Sequence, residues 1–276
     1  STRGNDPAQA EVSDESTRVL DTRVRSAEDL AQITDASVLA EIGHHDKPVA
    51  GRAAGNDGVQ WASAESYRKL RTSIGFVGLG GERRSSMVIT SSVEGEGKTE
   101  TATNLARVLA LAGERVLLID ADFRRPQVGE RLRLDSELGL SDVLTGRGSL
   151  QDLVIDVAPG YLSVLPAGTI PPNPSELLGS EAMGHLLSTV ERQYDYVLLD
   201  APPLLPVTDA VVLAAEAGGA VVVSRSGTVR RQQLAAALDV LESADATLLG
   251  VVLNDVPASH SDTYGYYYTA KKPVSV

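Results

Sequence analysis

Eight residues, 92–99, constrain the fold of this chain more than any other part of it. Their sequence is Ser-Val-Glu-Gly-Glu-Gly-Lys-Thr, and they lie between a short apolar run and a long stretch with helical spacing. A strand, a glycine-rich turn and a helix in this order form a phosphate loop, whose usual pattern is Gly-x-x-x-x-Gly-Lys-[Ser/Thr]. Ser92 replaces the first glycine, but the two later glycines still let backbone N–H groups curl around phosphate oxygens. Lys98 adds a positive charge and Thr99 a hydroxyl group for Mg²⁺, whereas the alternative interpretation is a glycine-rich turn with one exposed lysine.

Apolar runs alternate with helical stretches along most of the chain. Six runs are too short for a helix and are rich in Val, Ile or Leu. Continuous apolar strands that alternate with helices are typical of a parallel sheet covered on both faces. We therefore predict an α/β fold: a P-loop NTPase-type, mainly parallel sheet with helices on both faces. The predicted strands are 87–90, 116–119, 162–165, 196–199, 220–224 and 248–253, and the predicted helices are 61–77, 98–111, 174–192, 207–216 and 229–243.

Composition divides the chain into three parts. Residues 1–60 are rich in polar and small residues, so we expect a flexible N-terminal segment. Within it, a capping box at Ser26 predicts a short helix, and 38–42 is a possible strand. Residues 61–257 form the predicted domain. Residues 258–276 are predicted to be a flexible tail that carries a cluster of tyrosines.

The charge and the lack of cysteine exclude several classes of protein. Lys and Arg number 25 and Asp and Glu number 37, which gives a formal net charge of −12. An acidic chain lacks the basic face that a duplex-DNA reader needs, so we expect no nucleic-acid partner. With no cysteine, disulfide scaffolds, thiolate catalysis and cysteine-ligated metal sites are excluded. No apolar run approaches the roughly 18 residues of a membrane-spanning helix, and the start at Ser1 without Met predicts a piece of a longer protein.

Two further predicted strands end in carboxylates. The run 116–119 leads into Asp120 and Asp122, and the run 196–199 leads into Asp200. Ligands of open α/β sheets bind outside the carboxyl ends of the strands, so we expect these groups beside the phosphate loop. A carboxylate in this position after a phosphate loop is typical of a Mg²⁺ site. Taken one by one, these carboxylates are also explained as helix caps or turn formers.

Together, the three motifs resemble the Walker A, A′ and B motifs of the bacterial protein-tyrosine kinases of capsule and exopolysaccharide synthesis. Glu65, Arg68 and Arg71 fit the Glu-x-x-Arg-x-x-Arg motif with which that family assembles rings, although Glu65 and Arg68 alone are explained as an intrahelical pair. The resemblance covers residues 61–268. A looser resemblance over 18–46 is to the cytoplasmic, juxtamembrane stretch of chain-length regulators. Four tyrosines fit the family's C-terminal cluster: Tyr264, Tyr266, Tyr267 and Tyr268.

The resemblance implies an ATP-dependent protein-tyrosine kinase that phosphorylates its own tail tyrosines in trans and regulates extracellular polysaccharide synthesis and export. It implies the cofactors ATP and Mg²⁺. The residues expected at the active site lie mostly in the three motifs or just after them. They are Lys98, Asp120, Asp122 and Arg124 for catalysis, Glu94, Gly95, Glu96, Gly97, Lys98, Thr99, Glu100 and Asn254 for nucleotide binding, and Thr99, Asp122 and Asp200 for the metal.

The same resemblance implies a set of partners. We expect a homo-oligomer, a ring that uses Glu65, Arg68 and Arg71, and either a membrane-anchored activator or an upstream transmembrane portion of the same chain. Polysaccharide-synthesis enzymes are the expected substrates, and a tyrosine phosphatase is the expected opposing enzyme. The chain is expected at the cytoplasmic face of the bacterial inner membrane.

Three other functions use a related site. Partitioning and division-positioning ATPases share the fold, but they carry an additional lysine early in the phosphate loop, where this chain has Val93. An ATP-gated scaffold of the polysaccharide machinery with little kinase activity stays open, because a fold does not determine a function. A dinucleotide-binding dehydrogenase is disfavoured, because the loop lacks the third glycine of that fingerprint.

Overall fold

The described residues of the computed structural model, 22–44, 64–77 and 85–257, contain one sheet with helices on both sides. The strands are β1 (Val38–Gly43), β2 (Ser86–Ser91), β3 (Val116–Asp120), β4 (Ile155–Ala158), β5 (Leu162–Leu165), β6 (Tyr196–Asp200), β7 (Ala220–Arg225) and β8 (Leu248–Val256). The helices are α1 (Ala27–Ala31), α2 (Ala64–Val77), α3 (Lys98–Leu111), α4 (Val128–Leu132), α5 (Leu140–Leu144), α6 (Leu150–Leu153), α7 (Pro174–Leu178), α8 (Glu181–Val190), α9 (Asp209–Glu216) and α10 (Arg231–Ser243).

The strand order is β1-β8-β7-β2-β6-β3-β5-β4. Neighbouring strands are parallel except for β4 and β5, which are antiparallel. Because β6 lies between β2 and β3, the carboxyl ends of these three strands meet at one edge of the sheet. The ends of β7 and β8 follow on the other side of β2. This order brings the phosphate loop next to the ends of four other strands.

Apolar side chains cover both faces of the sheet, which explains why its strands are continuous apolar runs. Side chains alternate along a strand, so Val88 and Ile89 of β2 belong to different cores. Helices α2, α3 and α4 pack into the core that contains Ile89, whereas α1 and α5–α10 pack into the core that contains Val88. The predicted α/β fold, with a mainly parallel sheet between two layers of helices, is confirmed.

Most of the predicted strands and helices are present with small shifts of their ends. The prediction of one helix over 174–192 is wrong, because the chain forms the two helices α7 and α8 there. Ser180 starts the second of them, since its side chain accepts a hydrogen bond from the N–H of Met183 (3.4 Å). The elements β4, α4, α5 and α6 are not predicted from the sequence. These elements have four or five residues each, too few to leave a periodic pattern.

The first described part, residues 22–44, packs against the rest of the fold. Its predicted helix is α1, where Ser26 and Asp29 form the expected capping box. Its predicted strand is β1, which pairs in parallel with β8 at one end of the sheet. The predicted division at residue 60 lies outside the described residues, as do 1–21 and the tail with its four tyrosines. Among the helices that the structure describes, none is long and apolar enough to cross a membrane.

Candidate active site

The phosphate loop runs from the end of β2 into the first turn of α3. Gly95 and Gly97 have φ angles of 81° and 95°, a region that residues with a side chain rarely adopt. A Cβ atom at Gly97 would lie 2.1 Å from Nδ2 of Asn254, so a side chain here would also displace the Asn254 amide. Because α3 begins immediately after Gly97, the free N–H groups of its first turn adjoin the loop. This backbone has the shape and polarity that phosphate oxygens require.

Glu96 is buried inside the loop that contains it. Its side chain has no exposed surface, and its carboxylate accepts hydrogen bonds from the backbone N–H groups of Val93 (2.9 Å) and Arg225 (3.2 Å). Burial raises the pKa of Glu96 to about 7, although these N–H groups act in the opposite direction. The carboxylate therefore braces the loop from within rather than facing solvent.

Lys98 lies among carboxylates from two other strand ends. Its Nζ is 2.7 Å from Oδ2 of Asp122, 3.5 Å from Oδ1 of Asp200 and 3.3 Å from Oγ1 of Thr99. Burial lowers the pKa of Lys98, but attraction to Asp200 and Asp122 outweighs it, so the pKa is raised. The lysine is therefore charged at neutral pH and held at the end of the phosphate loop.

Asp200 is a fully buried carboxylate. Among the described residues, neither of its oxygens has a hydrogen-bond partner, because the 3.5 Å to Lys98 is too long for a good hydrogen bond. Burial raises the pKa of Asp200, and the charge of Lys98 opposes that rise. Buried acceptors without partners are rare and costly, and a bound ion is one way in which proteins satisfy them. Two buried carboxylate oxygens without a hydrogen bond in the described part of the chain, with Lys98 as an ion-pair neighbour at 3.5 Å, therefore fit a cation site.

Asp120 lies beside Asp200, because the two are register partners between β3 and β6. Its side chain is 1% exposed. One carboxylate oxygen accepts a hydrogen bond from the N–H of Asp122 (3.2 Å), and the other accepts two, from Gln127 (3.1 Å) and Val128 (3.0 Å). Burial and the charge of Asp200 raise the pKa of Asp120. The segment after β3 is thus folded around this carboxylate.

The guanidinium of Arg124 is held by Asp209, a residue that no motif in the sequence marks. The guanidinium donates to Asp209 at the start of α9, with Nε 3.1 Å from Oδ2 and Nη2 3.3 Å from Oδ1. Asp209 is fully buried and also accepts a hydrogen bond from Ser175 Oγ of α7. In the sequence, Asp209 has only the pattern of an acidic residue in the first turn of a helix. Its contact with Arg124 spans 85 residues, so no local pattern predicts it.

The remaining residues expected at the nucleotide lie around the loop. Asn254, at the end of β8, donates from Nδ2 to the backbone oxygen of Glu96 (2.9 Å). Glu94 forms an exposed ion pair with Arg125 (2.6 Å). Glu100 lies in the first turn of α3. Strands β2, β3, β6 and β8 therefore bring the predicted site residues of all three motifs to one edge of the sheet.

The expected oligomer motif lies on α2. Oε2 of Glu65 and Nη1 of Arg68 are 3.1 Å apart, and both side chains are more than half exposed, so the intrahelical pair is present. With Arg71 they line a groove of about 550 Å³ between α2 and β1. The structure thus leaves the motif accessible on the surface, on the layer formed by α2, α3 and α4.

Known proteins of similar sequence and structure allow this site to be assigned to a family. A protein-family model described as an AAA domain matches residues 86–230. Tyrosine-protein kinase YwqD of Bacillus subtilis is 42% identical over 207 residues, which are 75% of this chain and 87% of that protein. This chain belongs to the bacterial tyrosine-protein kinases. Tyrosine-protein kinase wzc of Salmonella typhimurium is 36% identical over 205 residues, but these are 28% of that longer protein. The kinase domain of Escherichia coli tyrosine kinase ETK, a solved structure with 32% identity, gives a TM-score of 0.79 over 89% of this chain and 100% of its own.

The kinase is thus a nucleotide-dependent enzyme of the protein-tyrosine kinase class. The predicted family, fold class and enzyme class are confirmed. The alternatives of a partitioning-type ATPase and of a dehydrogenase are set aside, because these relatives are named as tyrosine kinases.

Proposed function

We propose that this kinase transfers the γ-phosphoryl group of Mg·ATP to tyrosine hydroxyls, chiefly those of Tyr264, Tyr266, Tyr267 and Tyr268 on neighbouring copies. The observation that carries the proposal is the convergence at Lys98: a charged ammonium group 2.7 Å from Asp122 and 3.5 Å from Asp200, at the end of a glycine-rich loop. Phosphoryl transfer needs positioning and charge neutralisation more than covalent chemistry from the protein.

The phosphate loop supplies the contacts for the phosphates. Its backbone N–H groups and the first turn of α3 donate to phosphate oxygens. Lys98 neutralises charge on the β- and γ-phosphates. Thr99, in the first turn, offers a hydroxyl group for the metal.

The metal-binding residues we assign are Thr99, Asp122 and Asp200. The oxygens of Asp200, which accept no hydrogen bond from the described residues, support this assignment. Among the described residues, no group of three or more His, Asp or Glu side chains is arranged to hold a metal ion without help. That agrees with the preference of Mg²⁺ for one or two carboxylates together with phosphate oxygens and water. When bound, ATP would supply the phosphoryl group, and Mg²⁺ would supply the positive charge that polarises it.

Asp120 is assigned the role of accepting or orienting the phenolic proton. A phenol with a pKa near 10 is mostly protonated at neutral pH, so a nearby base assists the transfer. A raised pKa, as burial and Asp200 give this carboxylate, brings a general base nearer to the pH at which it works. Arg124, fixed by Asp209, is assigned to the transferring group or the incoming tail.

The cellular setting is part of the same proposal. We assign the kinase to a ring of copies that uses Glu65, Arg68 and Arg71, because these side chains lie at an accessible groove. The ring would act at the cytoplasmic face of the inner membrane, next to a membrane-anchored activator or transmembrane portion. Polysaccharide-synthesis enzymes are the proposed further substrates, and a tyrosine phosphatase reverses the modification.

The experiment that tests this function compares variants for phosphotyrosine after incubation with Mg·ATP. Lys98→Met and Asp120→Asn are each expected to lower the rate by about 10²–10³, the usual effect of removing a preorganised polar contact. Asp239→Asn, an exposed aspartate of α10, is the matched control and is expected to keep the wild-type rate. Unchanged phosphotyrosine in both active-site variants would refute the assignment.

A further inference from the structure

Arg225, the last residue of β7, contacts the phosphate loop at two points. Its backbone N–H donates to the buried carboxylate of Glu96 (3.2 Å), and its Nη1 donates to the backbone oxygen of Gly95 (3.3 Å). Along the sequence, Arg225 lies 129 residues from Glu96 and 130 residues from Gly95, about half the length of the chain. Arg225 therefore connects the end of β7, the strand next to β2, to the middle of the loop.

The contact with Gly95 determines the direction of a peptide plane. In a trans peptide the carbonyl oxygen and the following N–H point to opposite sides. Because the oxygen of Gly95 points to Arg225, the N–H of Glu96 points away from it. Asn254 has the same effect one peptide later, since its amide holds the oxygen of Glu96 (2.9 Å) and so directs the N–H of Gly97. The carbonyl groups of Gly95 and Glu96 thus both point toward β7 and β8. The N–H groups of Glu96 and Gly97 point away from those strands.

Asp255 fixes the guanidinium in place. Its Oδ2 accepts from Arg225 at 2.7 Å (Nε) and 2.5 Å (Nη2). Asp255 has a φ of 61°, a conformation that non-glycine residues seldom adopt, and its other carboxylate oxygen contacts His44 at the end of β1. Although burial raises the pKa of Asp255, the hydrogen bonds from His44 and Arg225 lower it below its usual value. The carboxylate is therefore ionised at neutral pH and holds the arginine with a charge-assisted pair.

The backbone that follows Arg225 is also fixed, by the first described part of the chain. The N–H of Gly227 donates to the oxygen of Val24 (2.8 Å), and the N–H of Val24 donates to the oxygen of Val229 (2.9 Å). Val24 is fully buried. Asp255 thus holds the side chain of Arg225, and Val24 holds the backbone that follows it.

We propose that Arg225, held by Asp255, is a positioning residue for nucleotide binding: it fixes the peptide between Gly95 and Glu96 so that the loop N–H groups face the phosphates. A Cβ built on Gly95 would meet nothing within 4 Å, so the space on the Cβ side of this glycine is open. The inference rests on the proposed function only in taking the loop as the phosphate site. Arg225 acts on binding and not on the transfer step, which depends on Lys98 and Asp120.

The test compares Arg225→Ala, Arg225→Lys and Asp255→Asn, with Arg192→Ala as the control. Arg192 is an exposed arginine just after α8. The side chain of its neighbour Glu191 contacts Ser86 at the amino end of β2, whereas the phosphate loop follows the carboxyl end. The first readout is calorimetric titration with ADP in the absence of Mg²⁺, which reports the loop contacts alone. Arg225→Ala is expected to weaken ADP binding by about tenfold, the usual loss for a hydrogen bond to a charged group. Arg225→Lys is expected to recover part of that loss, and Arg192→Ala to bind ADP as the wild type does.

The second readout is hydrogen exchange of residues 93–97 in the nucleotide-free protein. Exchange there is expected to be at least tenfold faster in Arg225→Ala, while exchange in β3 and the melting temperature stay close to the wild type. In the kinase assay, KM for ATP is expected to rise with kcat within about twofold. Asp255→Asn is expected to change KM in the same direction by a smaller factor, and to add nothing when Arg225 is already alanine.

These readouts separate this inference from the proposed function. ADP affinity and loop exchange that stay at wild-type values in Arg225→Ala would overturn the positioning role, and so would a loss confined to kcat. If Arg225→Ala does not fold, ADP affinity and loop exchange are measured in Arg225→Lys and Asp255→Asn instead. Wild-type values in both of these variants would overturn the positioning role. A wild-type protein that makes no phosphotyrosine, with loop exchange and ADP binding still dependent on Arg225, would refute the kinase assignment alone.

Discussion

Replacing Lys98 by methionine tests whether the active site is held together by charge. At an effective dielectric constant of about 20, a unit charge pair is worth about 6 kcal/mol at the 2.7 Å of Asp122 and about 5 kcal/mol at the 3.5 Å of Asp200. Burial of the ammonium group offsets several kcal/mol of this attraction, and removing one partner of a buried pair usually costs about 3–5 kcal/mol. We therefore expect Lys98→Met to lower the free energy of unfolding by about 3–5 kcal/mol near pH 8.

The pH dependence makes this prediction specific. The pKa values of Asp120 and Asp200 are already raised, and loss of the cation raises them further, so both carboxylates take up protons as the pH falls. The stability loss in Lys98→Met should then shrink to less than half near pH 5. The lysine itself does not contribute to this change, since a raised lysine pKa alters stability only above its unfolded value, near 10.5.

Urea unfolding of the nucleotide-free protein at the two pH values measures these losses. Lys69→Met, an exposed lysine of α2, is the matched control and should change stability by less than about 0.5 kcal/mol. Equal losses for Lys98→Met at both pH values, or no loss near pH 8, would refute the electrostatic reasoning.

Three further predictions follow from the loop and its neighbours. Gly97→Ala should weaken ADP binding at least tenfold and lower the urea midpoint, because its φ is 95° and its Cβ would meet Asn254; wild-type binding by titration would contradict this. With a Glu96 pKa raised from 4.5 to about 7, the folded state keeps a proton that the unfolded state has lost, so this group removes about 3 kcal/mol of stability as the pH rises through that window. Melting curves from pH 4.5 to 7.5 without nucleotide measure this, and a stability that rises throughout would count against it. Asp209→Ala should cost about 1–3 kcal/mol of stability by removing the buried acceptor of Arg124 and Ser175, since the Arg124 side chain, 44% exposed, keeps contact with solvent. Phosphotyrosine formation should fall as well, and unfolding curves identical to the wild type would contradict that role.

The local parts of the active site are predictable from the sequence. The bounds of α3 coincide with the predicted 98–111, because apolar periodicity and a preceding glycine mark its start. Asp120 and Asp200 are predictable for a similar reason, since each follows an apolar run and parallel strands end at one edge. A parallel sheet predicts that these strand ends share one edge, and the position of β6 between β2 and β3 brings them to Lys98.

The contacts that support the site are not predictable in this way. Asp209 reaches Arg124 across 85 residues, and Arg225 reaches Glu96 across 129. In the sequence these residues belong to a helix start and a strand end, positions that every α/β protein contains. The burial of Glu96 has no local signal either, because a glutamate between two glycines is typical of an exposed turn. Such contacts depend on strand order, which spacing along the chain does not determine.

The central claim is that this kinase phosphorylates the tail tyrosines of neighbouring copies. Phosphate transfer from one chain to another tests it most directly. An epitope-tagged Lys98→Met chain, which keeps Tyr264, Tyr266, Tyr267 and Tyr268, would be incubated with catalytic amounts of untagged wild-type kinase and Mg·ATP. Its phosphotyrosines would then be mapped by mass spectrometry. We predict that phosphate appears on the tagged chain at these tyrosines, and only when the wild-type kinase is present. A tagged chain that stays unmodified while the wild-type chain is labelled would contradict transfer in trans, and labelling without the wild-type kinase would contradict the role of Lys98.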